Sequence, residues 1–214
     1  MNPFPVILSS PSGGGKTTIA RELLKRRQDV GYSISCTTRR PRVGEADGID
    51  YYFLSPDEFR RKRGEGAFAE SAEVHGKLYG TLRSEIDRVI GAGRHVIMDI
   101  DVQGAEQLRT VYPDAVTVFV LPPSGEVLLE RLRLRRTESA RELVARLNSA
   151  LQELQAVELY EYVIVNDDLE AAVRRVSAII DAEVVTRERV AGLEKQVQGL
   201  IRHLETEIDN HSSR

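Results

Sequence analysis

Short apolar runs alternate along the chain with segments whose apolar residues recur every three or four positions. The runs have the length of buried strands, and the segments between them have the spacing of amphipathic helices. This alternation predicts an α/β fold in which helices flank a parallel sheet. We place strands at residues 6–9, 32–36, 96–100, 116–121 and 162–165, and helices at 16–27, 102–111, 126–133, 142–158 and 169–185.

Two stretches depart from this alternation. Residues 36–82 hold three of the seven tyrosines and many glycines, with short alternating segments, and indicate a small mixed or antiparallel insertion. Residues 133–142 are rich in arginine and join two predicted helices, which fits either a mobile lid or a solvated connection. Ser55 and Ser139 each begin a Ser-x-x-Glu capping box, which is typical of a helix start.

The last residues follow a different pattern. Apolar side chains recur there at alternating steps of three and four, as in about two heptads of a coiled coil. They are Val190, Leu193, Val197, Leu200 and Leu204. We therefore predict one domain over residues 1–185, with a core of 1–35 and 83–185, and a helical, coiled-coil-like tail over 186–214. The tail either forms a homodimer or packs back on its own domain.

Composition and charge narrow the classes of partner. The chain has 214 residues, of which 41% are hydrophobic and 29% charged, as in an ordinary globular domain. A net charge of −3 gives no general attraction to nucleic acid or to an anionic membrane, and we expect neither partner. No apolar run is long enough to span a bilayer. Cys36 is the only cysteine, so we expect a reducing, cytoplasmic location.

The strongest chemical signal is a glycine-rich turn between the first predicted strand and helix. It fits the P-loop pattern G-x-x-x-x-G-K-[ST], except that Ser10 stands at the first glycine position. Backbone N–H groups in such a turn converge on phosphate oxygens, and the helix N-terminus adds partial positive charge. The predicted polyphosphate site comprises Ser10, Pro11, Ser12, Gly13, Gly14, Gly15, Lys16, Thr17 and Thr18.

Acidic residues at the end of a later strand suit a magnesium site. Asp99 and Asp101 lie at the end of the segment 96–101, and a period of two predicts that they share one face of the strand. In a P-loop protein an acid at this edge assists Mg²⁺ through water, while the Thr17 hydroxyl ligates the ion directly. The alternative role of such an acid is to cap the next helix.

Three arginines surround Pro41 at the start of the insertion. Pro41 keeps Arg40 extended, which lets Arg39 and Arg42 splay around a pocket. Two guanidinium groups can bind a phosphate dianion with bidentate geometry. A solvated basic loop is the other interpretation.

Five motifs together resemble the guanylate kinase family over roughly residues 3–185. They are the P-loop, S-x-T-T-R-x-P-R-x-G-E from Ser35, E-x-A-E-V-x-G-x-x-Y-G-T from Glu70, D-I-D-x-Q-G from Asp99 and I-V-N-D-D from Ile164. The resemblance implies a P-loop NTPase-type sheet with a GMP-binding insertion and a short lid. It also implies ATP-dependent, Mg²⁺-assisted phosphorylation of GMP to GDP in purine nucleotide metabolism.

The resemblance also implies a role for individual residues. Arg39, Arg42, Tyr51 and Tyr79 would bind the GMP phosphate, and Ser35, Glu70 and Asp101 would read the base, with Thr81 and Glu45 nearby. Lys16, Arg39, Arg135 and Arg146 would stabilise the transferred phosphoryl group, with Arg131 assisting and Asn166 near the adenine.

The chain departs from the family pattern at three positions besides its tail. Ser10 replaces a glycine, and Leu134 and Arg136 flank Arg135 where family members often have glycines. Two other functions are consistent with a guanylate-kinase-like sequence. One is a catalytically inactive peptide-binding scaffold, and the other is a related P-loop kinase with a different small-molecule acceptor. The intact P-loop argues against the scaffold, and the base-reading set argues against another acceptor.

Overall fold

The computed structural model describes residues 2–74, 76–133 and 140–212, with the side chains of residues 140–142 excepted. In chain order the elements are β1 (Pro5–Ser9), α1 (Lys16–Arg26), β2 (Val30–Tyr32), β3 (Cys36–Thr37), β4 (Tyr52–Phe53), α2 (Pro56–Gly64), β5 (Phe68–Val74), β6 (Lys77–Leu82), α3 (Arg83–Gly91), β7 (His95–Asp99), α4 (Val102–Val111), β8 (Val116–Leu121), α5 (Gly125–Arg133), α6 (Ala140–Gln155), β9 (Tyr162–Val165), α7 (Leu169–Val184) and α8 (Leu193–Ser212). A 3₁₀ helix, Ala156–Leu159, follows α6.

A five-stranded parallel sheet forms the centre of the molecule, in the order β2-β7-β1-β8-β9. All five residues of β1 are buried, because helices cover both faces of the sheet. Val6 and Leu8 pack into the cluster shared with α1 and α7, whereas Ile7 packs into the opposite cluster with Ile86 and Met98. The predicted α/β fold with a parallel sheet is confirmed.

A second sheet, of four strands, is built from the segment that begins at Cys36. Its order is β4-β3-β6-β5, with β3 parallel to β4 and antiparallel to β6. Phe59 of α2 stacks on Phe68 at a centroid distance of 4.4 Å and forms a small core with Cys36. Cys36 is fully buried, which raises the pKa of its thiol to about 12 and makes it a poor nucleophile.

The prediction of one strand over residues 32–36 is wrong. The strand β2 ends at Tyr32, and Cys36 already belongs to the second sheet. The Ser33 N–H still donates to the Ile97 carbonyl of the central sheet at 3.2 Å, the Ile34 N–H donates to the Glu85 carboxylate at 3.2 Å, and Cys36 pairs with Tyr52 and Gly80 in the second sheet. The helix α3, which carries Glu85, was also missing from the sequence-based prediction.

The Ser55 capping box has the predicted contact, since the Glu58 N–H donates to the Ser55 hydroxyl at 3.2 Å. The other predicted box begins at Ser139 and lies outside the described residues. The tail forms the helix α8, in which no described residue is buried. Among the helices in the described ranges, none is both long and apolar enough to cross a membrane.

Candidate active site

The P-loop joins β1 to α1, and its geometry suits an anion. Gly13 and Gly15 adopt positive φ angles of 87° and 96°, which L side chains rarely adopt. The Gly14 N–H donates to the Pro11 carbonyl at 2.8 Å and closes the turn. Gly15 is the N-cap of α1 and has no side chain, so it leaves the first N–H groups of the helix to a ligand.

The side chains of Asn166 and Arg131 both donate hydrogen bonds to the backbone of this loop. The Asn166 side chain is buried and donates from Nδ2 to the Gly14 carbonyl at 2.9 Å. A Cβ atom at Gly15 would lie 2.4 Å from that same nitrogen. Arg131 reaches the Gly14 and Asn166 carbonyls at 3.5 Å each. Both side chains therefore lie at the P-loop, and the Asn166 amide is bonded to the loop itself.

Asp99 lies at the carboxyl end of β7, beside the start of α1. Its carboxylate accepts hydrogen bonds from the Thr17 hydroxyl and from the phenol of Tyr32. Burial and the Asp99 charge raise the pKa of Tyr32, so the phenol stays protonated and donates. A hydroxyl and a carboxylate in contact are oxygen ligands of the kind that Mg²⁺ prefers. The pair fits the magnesium site expected from the sequence.

Asp101 does not share a strand face with Asp99, and that part of the prediction is wrong. The strand β7 ends at Asp99, and Asp101 is the N-cap of α4, accepting the Gly104 N–H at 2.8 Å. The capping role therefore explains its position in the fold. Burial is the main cause of the raised pKa of Glu70 and of Glu153, and the Asp101 charge adds to both.

Glu70 is a buried carboxylate at the junction of the insertion and the central domain. It is 5% exposed and accepts the Thr81 hydroxyl at 2.7 Å. Burial raises its pKa to about 7, against a smaller lowering by Thr81. A Cβ atom at Gly104 would lie 2.7 Å from Glu70 Oε2. The glycine in the first turn of α4 therefore makes room for this carboxylate.

The arginines of the insertion are arranged around Glu45. Arg39 donates from both terminal nitrogens to the two Glu45 oxygens at 2.8 and 2.9 Å. The Arg42 N–H donates to the same carboxylate at 2.7 Å. The Arg39 hydrogen bond lowers the pKa of Glu45, which stays ionised. Glu45 is therefore the counter-ion of Arg39 in this structure.

Tyrosines form the wall beside these arginines. The Arg39 guanidinium lies 5.2 Å from the centroid of the Tyr51 ring, and the Tyr51 and Tyr79 rings meet edge to face at 6.2 Å. Burial raises the pKa of Tyr51 to about 12. The Tyr51 phenol is therefore a neutral donor near physiological pH, which suits a phosphate ligand.

The model of the family described as guanylate kinase matches residues 2–183. This chain belongs to the guanylate kinase family. Among its relatives, a guanylate kinase from Bartonella henselae is 47% identical over 200 residues, which cover 92% of this chain and 89% of that protein. A guanylate kinase from Clostridium perfringens is 44% identical over 178 residues, or 83% of this chain and 82% of the relative. The crystal structure of guanylate kinase from Anaplasma phagocytophilum is 35% identical, with a TM-score of 0.77, over 92% of this chain and 94% of that one.

Membership of the guanylate kinase family confirms the resemblance read from the five motifs, the fold class and the enzyme class, a nucleoside monophosphate kinase. Of the cationic residues expected to contact the phosphoryl group, Lys16 lies on α1, and Arg146 is buried on α6. Arg135, in the expected lid, lies outside the described residues. Ser35 lies next to β3, and its carbonyl accepts the Tyr52 N–H at 2.9 Å.

Three polar residues of this guanylate kinase family member escaped the sequence-based prediction. Tyr32 contacts Asp99, Glu153 accepts the Ser12 N–H at 3.0 Å, and Glu85 is buried under the Ser35 loop. Glu85 accepts from the Ile34 N–H, the Tyr52 phenol at 3.1 Å and Arg88. A signal for it exists in the sequence, because Glu85 stands four positions before the buried Val89 and so shares its helix face.

Proposed function

We propose that this protein transfers the γ-phosphoryl group of ATP to the phosphate of GMP, forming ADP and GDP. The observation that carries the proposal is the Glu70 carboxylate, buried beside Thr81 and Gly104 at the mouth of an intact P-loop domain. A carboxylate held in this way needs a ligand that donates hydrogen bonds to it.

Guanine supplies the matching donors. Its N1–H and N2–H₂ groups lie side by side and can both donate to one carboxylate, while Ser35 can donate to O6. Adenine presents no such pair of donors and would leave the buried Glu70 carboxylate with fewer donors than guanine provides. The acceptor site therefore selects guanine, because a base without these donors would leave the free-energy cost of burying the Glu70 carboxylate uncompensated.

The GMP phosphate would bind among Arg39, Arg42, Tyr51 and Tyr79. Arg39 is preorganised by its bidentate pair with Glu45, which fixes the plane of the guanidinium. Phosphate binding would add a second anion to this arginine, and the exposed Arg42 can swing toward it. The arrangement holds an oxygen of the acceptor phosphate in position to attack.

In the transfer step, that oxygen forms a bond to the γ-phosphorus of ATP, and the bond from the γ-phosphorus to the ADP oxygen breaks. Lys16 at the P-loop and Arg146 on α6, with Arg39 and Arg135, would neutralise the charge that spreads over the moving group. No strong general base is required, because the acceptor is already an anionic phosphate oxygen.

Thr17 and Asp99 would hold Mg²⁺ with the ATP phosphates, Asp99 through water. When bound, the ion would supply charge neutralisation for the phosphates of ATP. Tyr32 supports this arrangement by donating to the second Asp99 oxygen, which orients the carboxylate toward Thr17.

Two further proposals concern the whole chain. The unburied apolar stripe of α8 would pair with that of a second copy, forming a homodimer. A cytoplasmic location fits the free Cys36 thiol, which a reducing compartment preserves.

The assay that tests the activity offers ATP and Mg²⁺ with GMP, AMP, UMP or CMP in turn and follows ADP release. We expect turnover with GMP alone. The Lys16→Ala variant should lose at least about 100-fold in kcat while it keeps the wild-type circular dichroism spectrum. Binding of GMP without any turnover would instead support a scaffold, and turnover with another acceptor would support a different kinase.

A further inference from the structure

Glu153 is a half-buried carboxylate at the edge of the phosphate site, and the transfer step above does not use it. Its Oε2 accepts the Ser12 N–H of the P-loop at 3.0 Å, across 141 positions of sequence. Burial raises the pKa of Glu153, while the Ser12 N–H and the Lys16 charge oppose that rise. A half-buried acid that is bonded to the phosphate loop needs an explanation beyond packing.

The helix that carries Glu153 shares an apolar cluster with α5. Leu143, Leu147, Ala150 and Leu154 of α6 pack with Leu128 and Leu132 of α5, in a cluster distinct from the two clusters of the central sheet. Apolar packing between two helices tolerates small slides and rotations. A directional hydrogen bond to the P-loop removes that freedom, because it fixes one point of α6 relative to the loop.

Glu153 lies on the same face of α6 as Arg146. The two residues are seven positions apart, which corresponds to almost two full turns and about 10 Å along the axis. Ala150 lies between them on that face and is 3% exposed. A rotation of α6 that broke the Glu153 contact would therefore turn Arg146 by the same angle.

We propose that Glu153 is a positioning residue for phosphoryl transfer: its hydrogen bond to the Ser12 N–H sets the rotation of α6 and so aims Arg146 at the phosphoryl group. The inference rests on the proposed function, since it assigns Arg146 a task in that reaction. Glu153 accepts only the Ser12 N–H of the loop in the described structure. Ser12 precedes Gly13 and Gly15, which have positive φ angles, and also precedes the N-terminus of α1. Glu153 can remain in place while the rest of the loop binds phosphate.

The test compares kcat with nucleotide affinity in three variants of the full chain. Glu153→Ala should lower kcat about 10- to 100-fold, because small misplacements of a transition-state contact have effects of that size. The dissociation constants of ATP alone and of GMP alone should change less than about threefold. Glu153→Gln should retain most of the activity, because its amide oxygen still accepts the Ser12 N–H. Gln152→Ala, at an exposed neighbour on α6, is the matched control.

A double-mutant cycle separates positioning from a general loss of structure. In an Arg146→Ala background, Glu153→Ala should cost little further activity, because the residue that it positions is already gone. Equal losses in both backgrounds would overturn the proposal. The proposal would also be overturned if Glu153→Ala lowered the dissociation constant of ATP and left kcat unchanged. Glu153 would then occupy part of the ATP site, and ATP would have to displace it.

Two controls cover a Glu153→Ala variant that does not fold and a wild-type protein that does not phosphorylate GMP. If Glu153→Ala fails to fold, Glu153→Asp replaces it: the shorter acid cannot reach Ser12 without moving α6, so kcat should fall in the wild-type background and not with Arg146→Ala. An unchanged kcat in Glu153→Asp would also overturn the proposal. Failure of the wild-type protein to phosphorylate GMP would contradict the proposed function, whereas normal wild-type turnover with silent Glu153 variants would contradict only this inference.

Discussion

At the scale of single residues, the proposed base-reading site balances two opposed requirements. In the proposed role Glu70 would have to be ionised to accept two hydrogen bonds from guanine, yet its burial favours the neutral acid and raises its pKa to about 7. Thr81 offsets part of that cost by donating to Oε1. Guanine would therefore donate the hydrogen bonds that stabilise the ionised form of Glu70, whose pKa without a ligand is about 7.

The first prediction is a pH dependence of GMP affinity. Below a pKa of about 7 the folded protein holds Glu70 protonated, so one acceptor is lost and GMP must drive out the proton. From pH 8 to pH 6 the dissociation constant of GMP should rise about tenfold more than in Glu70→Gln. Calorimetric titration at several pH values measures this. The Glu70→Gln baseline accounts for the GMP phosphate, which titrates with a pKa near 6. Parallel pH profiles in the two proteins would contradict the assignment.

The second prediction concerns the glycine that faces this carboxylate. A Cβ at Gly104 would lie 2.7 Å from Glu70 Oε2, so Gly104→Ala should push the acid aside. We expect the KM for GMP to rise at least about tenfold, with the KM for ATP nearly unchanged. Gly91→Ala is the control, because nothing lies within 4 Å of a Cβ at that helical position. Steady-state kinetics with each nucleotide varied in turn checks both.

At the scale of elements, the tail divides into an attached part and a projecting part. Arg189 lies over the Phe4 ring at 4.1 Å and donates to the Asp114 carbonyl at 2.7 Å. The helix α8 follows these contacts and exposes Leu200, Leu204 and Ile208, each more than 60% accessible. Arg189 therefore contacts the central domain although it belongs to the predicted tail, residues 186–214.

The third prediction is that removal of residues 193–214 changes assembly and not catalysis. No described residue of α8 is buried, so the truncated protein should melt within about 2 °C of the full chain and keep its kcat. Light scattering should show a dimer for the full chain and a monomer for the truncated one. A monomeric full chain would contradict the pairing of α8 with a second copy. Truncation before Arg189 should lower the melting temperature, because it removes the contacts of Arg189 with Phe4 and Asp114. This shorter protein is the comparison for the truncation at residue 193.

At the scale of the whole molecule, the two sheets meet where the two nucleotides would react. The central sheet supplies the P-loop and Asp99 at the carboxyl ends of neighbouring strands, as open parallel sheets do at their ligand sites. The second sheet supplies Glu70, Thr81 and Tyr79. Arg21 of α1 pairs with Asp50 of the insertion, which links the two parts next to the site.

Much of this arrangement could be predicted from the sequence because its signals are local. The P-loop and the five apolar runs follow from spacing within ten residues or so, and four of the five predicted strands match within about one residue. The exception at residues 32–36 depends on strand partners outside the segment, because Cys36 pairs with Tyr52 and Gly80 in the second sheet, and no local pattern records such a pairing. The same reason explains why Tyr32 and Glu153 were missed.

The central claim is that GMP is the acceptor and that Glu70 selects it. The most direct measurement is the ratio of kcat/KM for GMP to that for AMP, in the wild-type protein and in Glu70→Gln. We predict a wild-type ratio above about 10³ and a fall of at least about 100-fold in the variant, with the KM for ATP unchanged. A wild-type ratio near one, or the same ratio in both proteins, would contradict the claim.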